Sequence, residues 1–218
     1  MAYRETDKVR SRKAQTFDKI LVAALYVVAE QGFNSVQMAD LAKRAGVATG
    51  TLYRYFPSKE ALCTEVFQRA TDVEVSKVQQ ALAETSGNGA ERIAAALRTF
   101  AERALRAPTM AWALIAEPVD PTVDQARLDY RQRYARLFEL AIHDGIRDGS
   151  LPEQNAQLSS TALVGCIAES LVGPLAPARS QEVNSPEQTR SAALIIAPIV
   201  NFCLQGLTGR PYEEKFHD

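Results

Sequence analysis

Residues 37–59 read QMADLAKRAGVATGTLYRYFPSK, and no other stretch restricts the fold so tightly. Two short segments with one apolar side each, 37–44 and 49–55, flank the turn Ala45-Gly46-Val47, and Pro57 stops the second. Two short helices joined by a three- or four-residue turn containing glycine form a helix-turn-helix. Gly46 supplies the left-handed or cramped backbone that the turn needs. Leu41 and Ala42 face inward from the first helix, Val47 fills the angle, and Leu52 is the inward residue of the second. Phe56 seals the end of that helix against the long helix preceding the pair. Thr49, Thr51, Tyr53, Arg54 and Tyr55 are left outward. Two tyrosines and an arginine on one open face suit a helix laid in a major groove. Their hydroxyls can reach phosphates or base edges, and Arg54 can pair with a phosphate or a guanine. Gly50, with Thr49, keeps the helix N-terminus slim enough to approach the bases.

The chain as a whole reads as all-α. Segments rich in Ala, Leu, Glu, Arg and Gln alternate with short Gly/Pro clusters, and neither an alternating strand pattern nor an internal repeat interrupts them. A first helix is expected over 12–31, where Phe17, Ile20, Leu21, Ala24, Val27 and Val28 recur at helical spacing and Gly32 closes the end. Ser58 is a good N-cap for a long fourth helix reaching about residue 84. Further helices are expected over 90–106, 108–117, 122–148, 155–175 and 187–207, with Pro198 kinking the last one. A proline-bearing connection lies between the last two, and the tail 211–218 reads as frayed.

The segment 14–62 resembles the DNA-binding domain of TetR-family regulators. The matching residues are Met38 to Leu41, Ala45-Gly46-Val47, Gly50-Thr51-Leu52-Tyr53-Arg54-Tyr55-Phe56 and Lys59. Beyond residue 62 only the helical pattern and the overall length agree. The resemblance implies an N-terminal three-helix DNA-binding domain (1–60, with a basic arm) and a larger helical ligand-binding and dimerisation domain (61–218). It implies that Gln37 touches phosphate, that Thr49 and Thr51 face the groove, and that Tyr53 and Tyr55 pack on or bond to the DNA backbone. Lys59 would clamp a phosphate at the start of the fourth helix, where free backbone N–H groups also favour anions. Lys8, Arg10, Arg12 and Lys13 form the arm, either solvated or reaching phosphates or a minor groove.

The last two helices are rich in small and aliphatic residues, among them Ala162, Leu163, Gly165, Leu171, Leu194, Ile196, Ile199 and Leu204. Apolar groups cover more than one face of each, so each needs a second partner, and a two-fold four-helix contact in a homodimer would supply it. Phe100, Arg103, Met110, Trp112, Tyr130, Tyr134, Phe138, Cys166 and Glu169 are the candidates for an apolar cavity with a few polar groups, the usual form of a ligand site. His143 reads as a surface residue. The implied function is a repressor bound to double-stranded operator DNA and released by a small-molecule effector. Its two recognition helices would lie about 34–36 Å apart, one turn of DNA, with the fourth helix as the lever. The alternative is a DNA-binding regulator that senses no small molecule and acts through a protein partner.

Charge and composition fit this reading. Residues 1–60 hold 10 Lys/Arg against 6 Asp/Glu, a net +4, whereas residues 61–218 hold 15 against 20, a net −5. The N-terminal quarter therefore favours a polyanion and the remainder does not. With two histidines, no Gly-rich phosphate loop, no G-x-S-x-G and no metal-spaced Cys/His cluster, neither an enzyme, a cofactor nor a metal is expected. Cys63, Cys166 and Cys203 are too scattered for a disulfide framework and read as small buried hydrophobes. No apolar run long enough to span a bilayer is expected, and the charged N-terminus does not read as a secretory signal, so the expected location is the cytoplasm.

Overall fold

In the computed structural model, residues 7–177 and 187–210 are described, with side chains from residue 10 to 177 and from 192 to 210. The tail and most of the proline-bearing connection lie outside the described residues. Nine helices and no strands occur among those described: α1 (Asp7–Gln31), α2 (Met38–Arg44), α3 (Thr49–Tyr55), α4 (Lys59–Glu84), α5 (Gly89–Arg106), α6 (Pro108–Ile115), α7 (Pro121–Asp148), α8 (Ala156–Leu175) and α9 (Glu187–Thr208).

Local chemistry sets most of the boundaries. Gly32 and Gly149 take positive φ at the ends of α1 and α7, the conformation glycine adopts without steric penalty. Ser58 Oγ accepts the Ala61 N–H at 3.1 Å. Asn88 and Glu91 form a reciprocal capping box at the start of α5. One expectation fails here. α1 begins at Asp7, so Arg10, Arg12 and Lys13 belong to its first turns and form no separate arm. Nothing between Asp7 and Lys13 is a glycine or proline, so the helix, once nucleated, propagates back through them. The side chain of Lys8 lies outside the described residues.

A second expectation also needs correcting. By length and composition α8 is apolar enough to cross a membrane, with a mean hydropathy of 1.4, because scattered Leu, Val and Ile side chains outweigh its single charge, Glu169, although no long aliphatic run occurs. One of its faces packs into the bundle through Leu163, Ile167, Leu171 and Leu175, all buried.

The helix-turn-helix and the bundle share one core. Phe17 on α1 stacks on Phe56 at 5.1 Å between centroids, as expected for the seal on α3. Phe33, just after α1, leans on Phe67 of α4, which meets Tyr130 of α7 edge-on at 5.6 Å. At the opposite end of the bundle, α5 and α7 touch backbone to backbone. A Cβ on Gly89 would collide with the Cα and N of Gly145. Asp148 Oδ2 accepts the Gly89 N–H at 2.7 Å, and Ser150 Oγ accepts that of Ala90 at 3.1 Å, closing the same junction.

Candidate nucleic-acid interface and ligand cavity

The α2–turn–α3 unit is built as its residues dictate. Leu41, Ala42 and Leu52 are buried, Val47 is half-buried between the helices, and Gly46 sits at φ +65°. α2 is held on α1 by Arg44, whose guanidinium lies 4.1 Å from the centroid of the Tyr26 ring and 3.6 Å from Glu30. Gln37 caps α2 with its backbone alone, leaving its exposed side chain unused by the cap. On α3, Thr49, Gly50 and Arg54 are exposed, Tyr53 is 46% exposed and Thr51 is half-buried. Arg54 makes no ion pair among the described residues and lies only loosely over Tyr55, at 5.9 Å. Tyr55 departs from expectation. It packs partly against the core, since its place on the helix, three residues after Leu52, turns it toward α3's inner side. Lys59, half-buried at the start of α4, donates to the Asn34 carbonyl at 3.4 Å and so braces the α1–α2 turn.

The cavity lies between α4, α5, α6, α7 and α8, with an empty space of about 840 Å³ that includes its open mouth. Its wall is mostly apolar: Phe67, Phe100, Ala104, Ala107, Met110, Ala111, Leu114, Ile115, Phe138, Val164, Ile167 and Ala168. Six of the nine expected ligand residues line it, namely Phe100, Arg103, Met110, Tyr130, Tyr134 and Phe138. Trp112, Cys166 and Glu169 do not. On α6 the wall is formed by Met110, Ala111, Leu114 and Ile115, and Trp112 points off that face into other packing. Cys166 turns toward α9, its Sγ 3.4 Å from that of Cys203. Glu169 is exposed, on the side of α8 away from Val164, Ile167 and Ala168. His143 is exposed, as expected.

The polar groups of the cavity were not all legible beforehand. Glu74 on α4 accepts both arms of Arg103 from α5, Nε to Oε2 at 2.6 Å and Nη2 to Oε1 at 2.8 Å. The Tyr130 hydroxyl lies 2.7 Å from Asp72 Oδ1, which also accepts from Arg133 at 2.7 Å. Burial, reinforced by the hydrogen bond to Asp72, pushes the Tyr130 phenol up to about 12. Burial also raises that of Tyr134, with the Glu74 charge adding to it. Both phenols are therefore neutral hydroxyls at ordinary pH. Among the described residues no three His, Cys, Asp or Glu side chains gather to hold a metal.

Residues 20–66 match the family model of bacterial regulatory proteins of the tetR family. The fatty acid metabolism regulator protein of Bacillus subtilis is 25% identical over 168 residues, 73% of this chain and 84% of its own. The HTH-type transcriptional repressor KstR2 of Rhodococcus jostii is 28% identical over 144 residues, 64% of this chain and 70% of its own. The crystal structure of the transcriptional regulator FadR from Bacillus subtilis in complex with stearoyl-CoA superposes with a TM-score of 0.70 at 20% identity, covering 88% of this chain and 99% of that one. Through residues 20–66 this chain carries the tetR-family domain of bacterial regulatory proteins.

One buried carboxylate joins this tetR-family domain to the cavity wall. Glu117, two residues beyond α6, is 5% exposed. Its Oε2 accepts the Phe33 N–H at 2.9 Å and its Oε1 the Asn34 N–H at 3.0 Å. Its own carbonyl accepts from Arg127 Nη2 at 2.9 Å, and Arg127 also donates to the carbonyls of Ala113 and Leu114 at the end of α6. Arg127 lines the cavity. A short chain of hydrogen bonds thus runs from the cavity through the end of α6 to the turn preceding α2. Sequence reasoning missed Glu117 and Arg127; a lone Glu before a proline in an apolar stretch was the only trace.

Proposed function

We propose that this regulator is a homodimeric repressor whose residues 1–60 bind operator DNA through α3, and whose residues 61–218 hold a small, mainly apolar effector and the dimer contact. One observation carries the reading. The turn that orients the helix-turn-helix is hydrogen-bonded through Glu117 to the end of α6, and α6 is a wall of the apolar cavity. A molecule that prefers a cavity with α6 displaced disfavours the DNA-bound arrangement by its differential affinity alone. On the DNA side, Thr49, Gly50, Thr51 and Tyr53 meet the groove, Arg54 meets a phosphate or guanine, and Gln37, Tyr55 and Lys59 hold the backbone.

An apolar effector fits a cavity wall of aromatic and aliphatic residues, and the stearoyl-CoA of the Bacillus subtilis structure carries a long acyl chain. The dimer contact is proposed on α8 and α9, whose outer faces expose Leu158, Leu194 and Phe202, each at least 66% exposed. Large apolar side chains so exposed on adjoining helices mark an interaction surface. A cytoplasmic location follows from binding chromosomal DNA.

The test is selection of a duplex from random sequence by the full chain, followed by titration at fixed salt. Tyr53→Ala and Arg54→Ala are expected to weaken binding at least about tenfold, the scale of one good base or phosphate contact, with an unchanged melting temperature. Unchanged affinity in both variants removes α3 as the reading helix.

A further inference from the structure

The cavity's chemistry narrows the class of effector, and this step rests on the ligand-release reading above. Tyr134 on α7 is 8% exposed and lines the cavity, its ring edge-on to Phe100 at 5.6 Å. Its hydroxyl makes none of the hydrogen bonds found among the described residues, and it is not sealed off: it opens to the cavity. A hydroxyl facing a mostly apolar cavity is unfavourable to cover with a guest that offers it no acceptor, so a guest that supplies one is favoured there.

The cations around it are already engaged or lie in water. The Arg103 fork is filled by both oxygens of Glu74. Arg127 is engaged by three main-chain carbonyls and by Asp124. Arg131 also borders the cavity but is exposed, where water and salt screen its charge. A carboxylate beside Tyr134 would be desolvated and would find the Arg103 charge already neutralised by Glu74, leaving it without a buried counter-ion. An ester or ketone oxygen would accept the Tyr134 O–H with none of these costs.

We propose that the cavity takes elongated apolar molecules whose oxygen function inside it is an uncharged hydrogen-bond acceptor, a ketone or ester, and that Tyr134 is the residue that reads it.

Displacement of the uncharged dye Nile red by decane, methyl decanoate and decanoate at pH 8 tests this, with the full chain and with Tyr134→Phe. The ester is expected to bind at least about tenfold tighter than the carboxylate. Tyr134→Phe should weaken the ester by about three- to tenfold, the effect of one hydrogen bond, and leave decane within about twofold. Equal melting temperatures of the two proteins separate this from a folding defect. Decanoate binding as tightly as the ester overturns the proposal. So does a Tyr134→Phe effect that is equal for ester and alkane, or absent for the ester. If neither dye nor any of the three compounds binds, the cavity reading falls together with it. If the ester binds through Tyr134 yet leaves affinity for the selected duplex unchanged, ligand release fails and this assignment stands.

Discussion

Glu117 reaches across 84 positions of sequence to the main-chain N–H of Phe33, which its Oε2 accepts at 2.9 Å in a buried setting. Removing the carboxylate leaves that N–H without a partner, away from water. Glu117→Ala is therefore expected to lower the unfolding free energy by about 1–3 kcal/mol. Gly32→Ala attacks the same contact from the other side. Gly32 sits at φ +80°, and an added Cβ would lie 2.7 Å from Glu117 Oε2. Its cost is about 1–2 kcal/mol for the left-handed backbone alone, plus the displaced carboxylate. Urea unfolding of both single variants and the double variant forms the check. The double variant should lose less than the two singles together, because they break one contact. Additive losses would show the two sites to be independent.

Gly89→Ala offers a reversal of the usual rule. Within a helix this change ordinarily stabilises by about 1 kcal/mol. Here the new methyl would run into the backbone of Gly145, which cannot rotate aside. A loss of about 1–3 kcal/mol is expected, the range for an overpacked contact, read as a lower urea midpoint at constant slope.

The proposed dimer contact can be tested from outside. Leu194 and Phe202 are 75% and 66% exposed, so charges there disturb no core in the isolated chain. Leu194→Glu with Phe202→Glu is expected to yield a folded monomer in sedimentation, with helical signal intact. Its affinity for a two-half-site duplex should fall at least about a hundredfold, since bivalent attachment is lost. A variant that still sediments as a dimer moves the contact elsewhere.

Asp72 makes the fold weakly sensitive to acid. Burial is the largest single influence on its carboxyl and pushes upward. The Tyr130 hydrogen bond and Arg133 together outweigh it and hold the group below the usual carboxylate range. Its folded value thus lies under the unfolded one of about 3.9. The stability it contributes is complete above that value and disappears as pH falls through the folded value. The side chain is 51% exposed, so the contribution is small. The melting-temperature gap between the native chain and Asp72→Asn should be open at pH 7 and narrow at pH 3. A gap that stays constant rules Asp72 out.

Elements punctuated by strong local signals were legible from the residues alone. α3 spans Thr49–Tyr55 as expected, because Gly46, Pro57 and the Ser58 cap bracket it within a few residues. The start of α1 was misjudged, because no such signal marks it. Residue type pointed to aromatic residues on α5 and α7 that do line the cavity, where Phe100, Tyr130, Tyr134 and Phe138 share faces at helical spacing. It failed for Trp112 and Cys166, because composition does not say which way a helix apolar on several sides is turned. Glu117, Arg127 and the Glu74–Arg103 pair were hidden for a different reason. Their partners are distant in sequence or are main-chain atoms, which leave no pattern in the side chains.

The Gly89–Gly145 junction gives the bundle a fixed hinge. α7 runs for 28 residues, about 42 Å at 1.5 Å per residue, from the neighbourhood of Glu117 to that junction. The cavity touches α7 only between Arg127 and Phe138, nearer its first end. A guest that wedges the helices apart meets backbone locked on backbone behind it and hydrogen bonds ahead of it. The motion it causes is therefore delivered to the end that carries the helix-turn-helix.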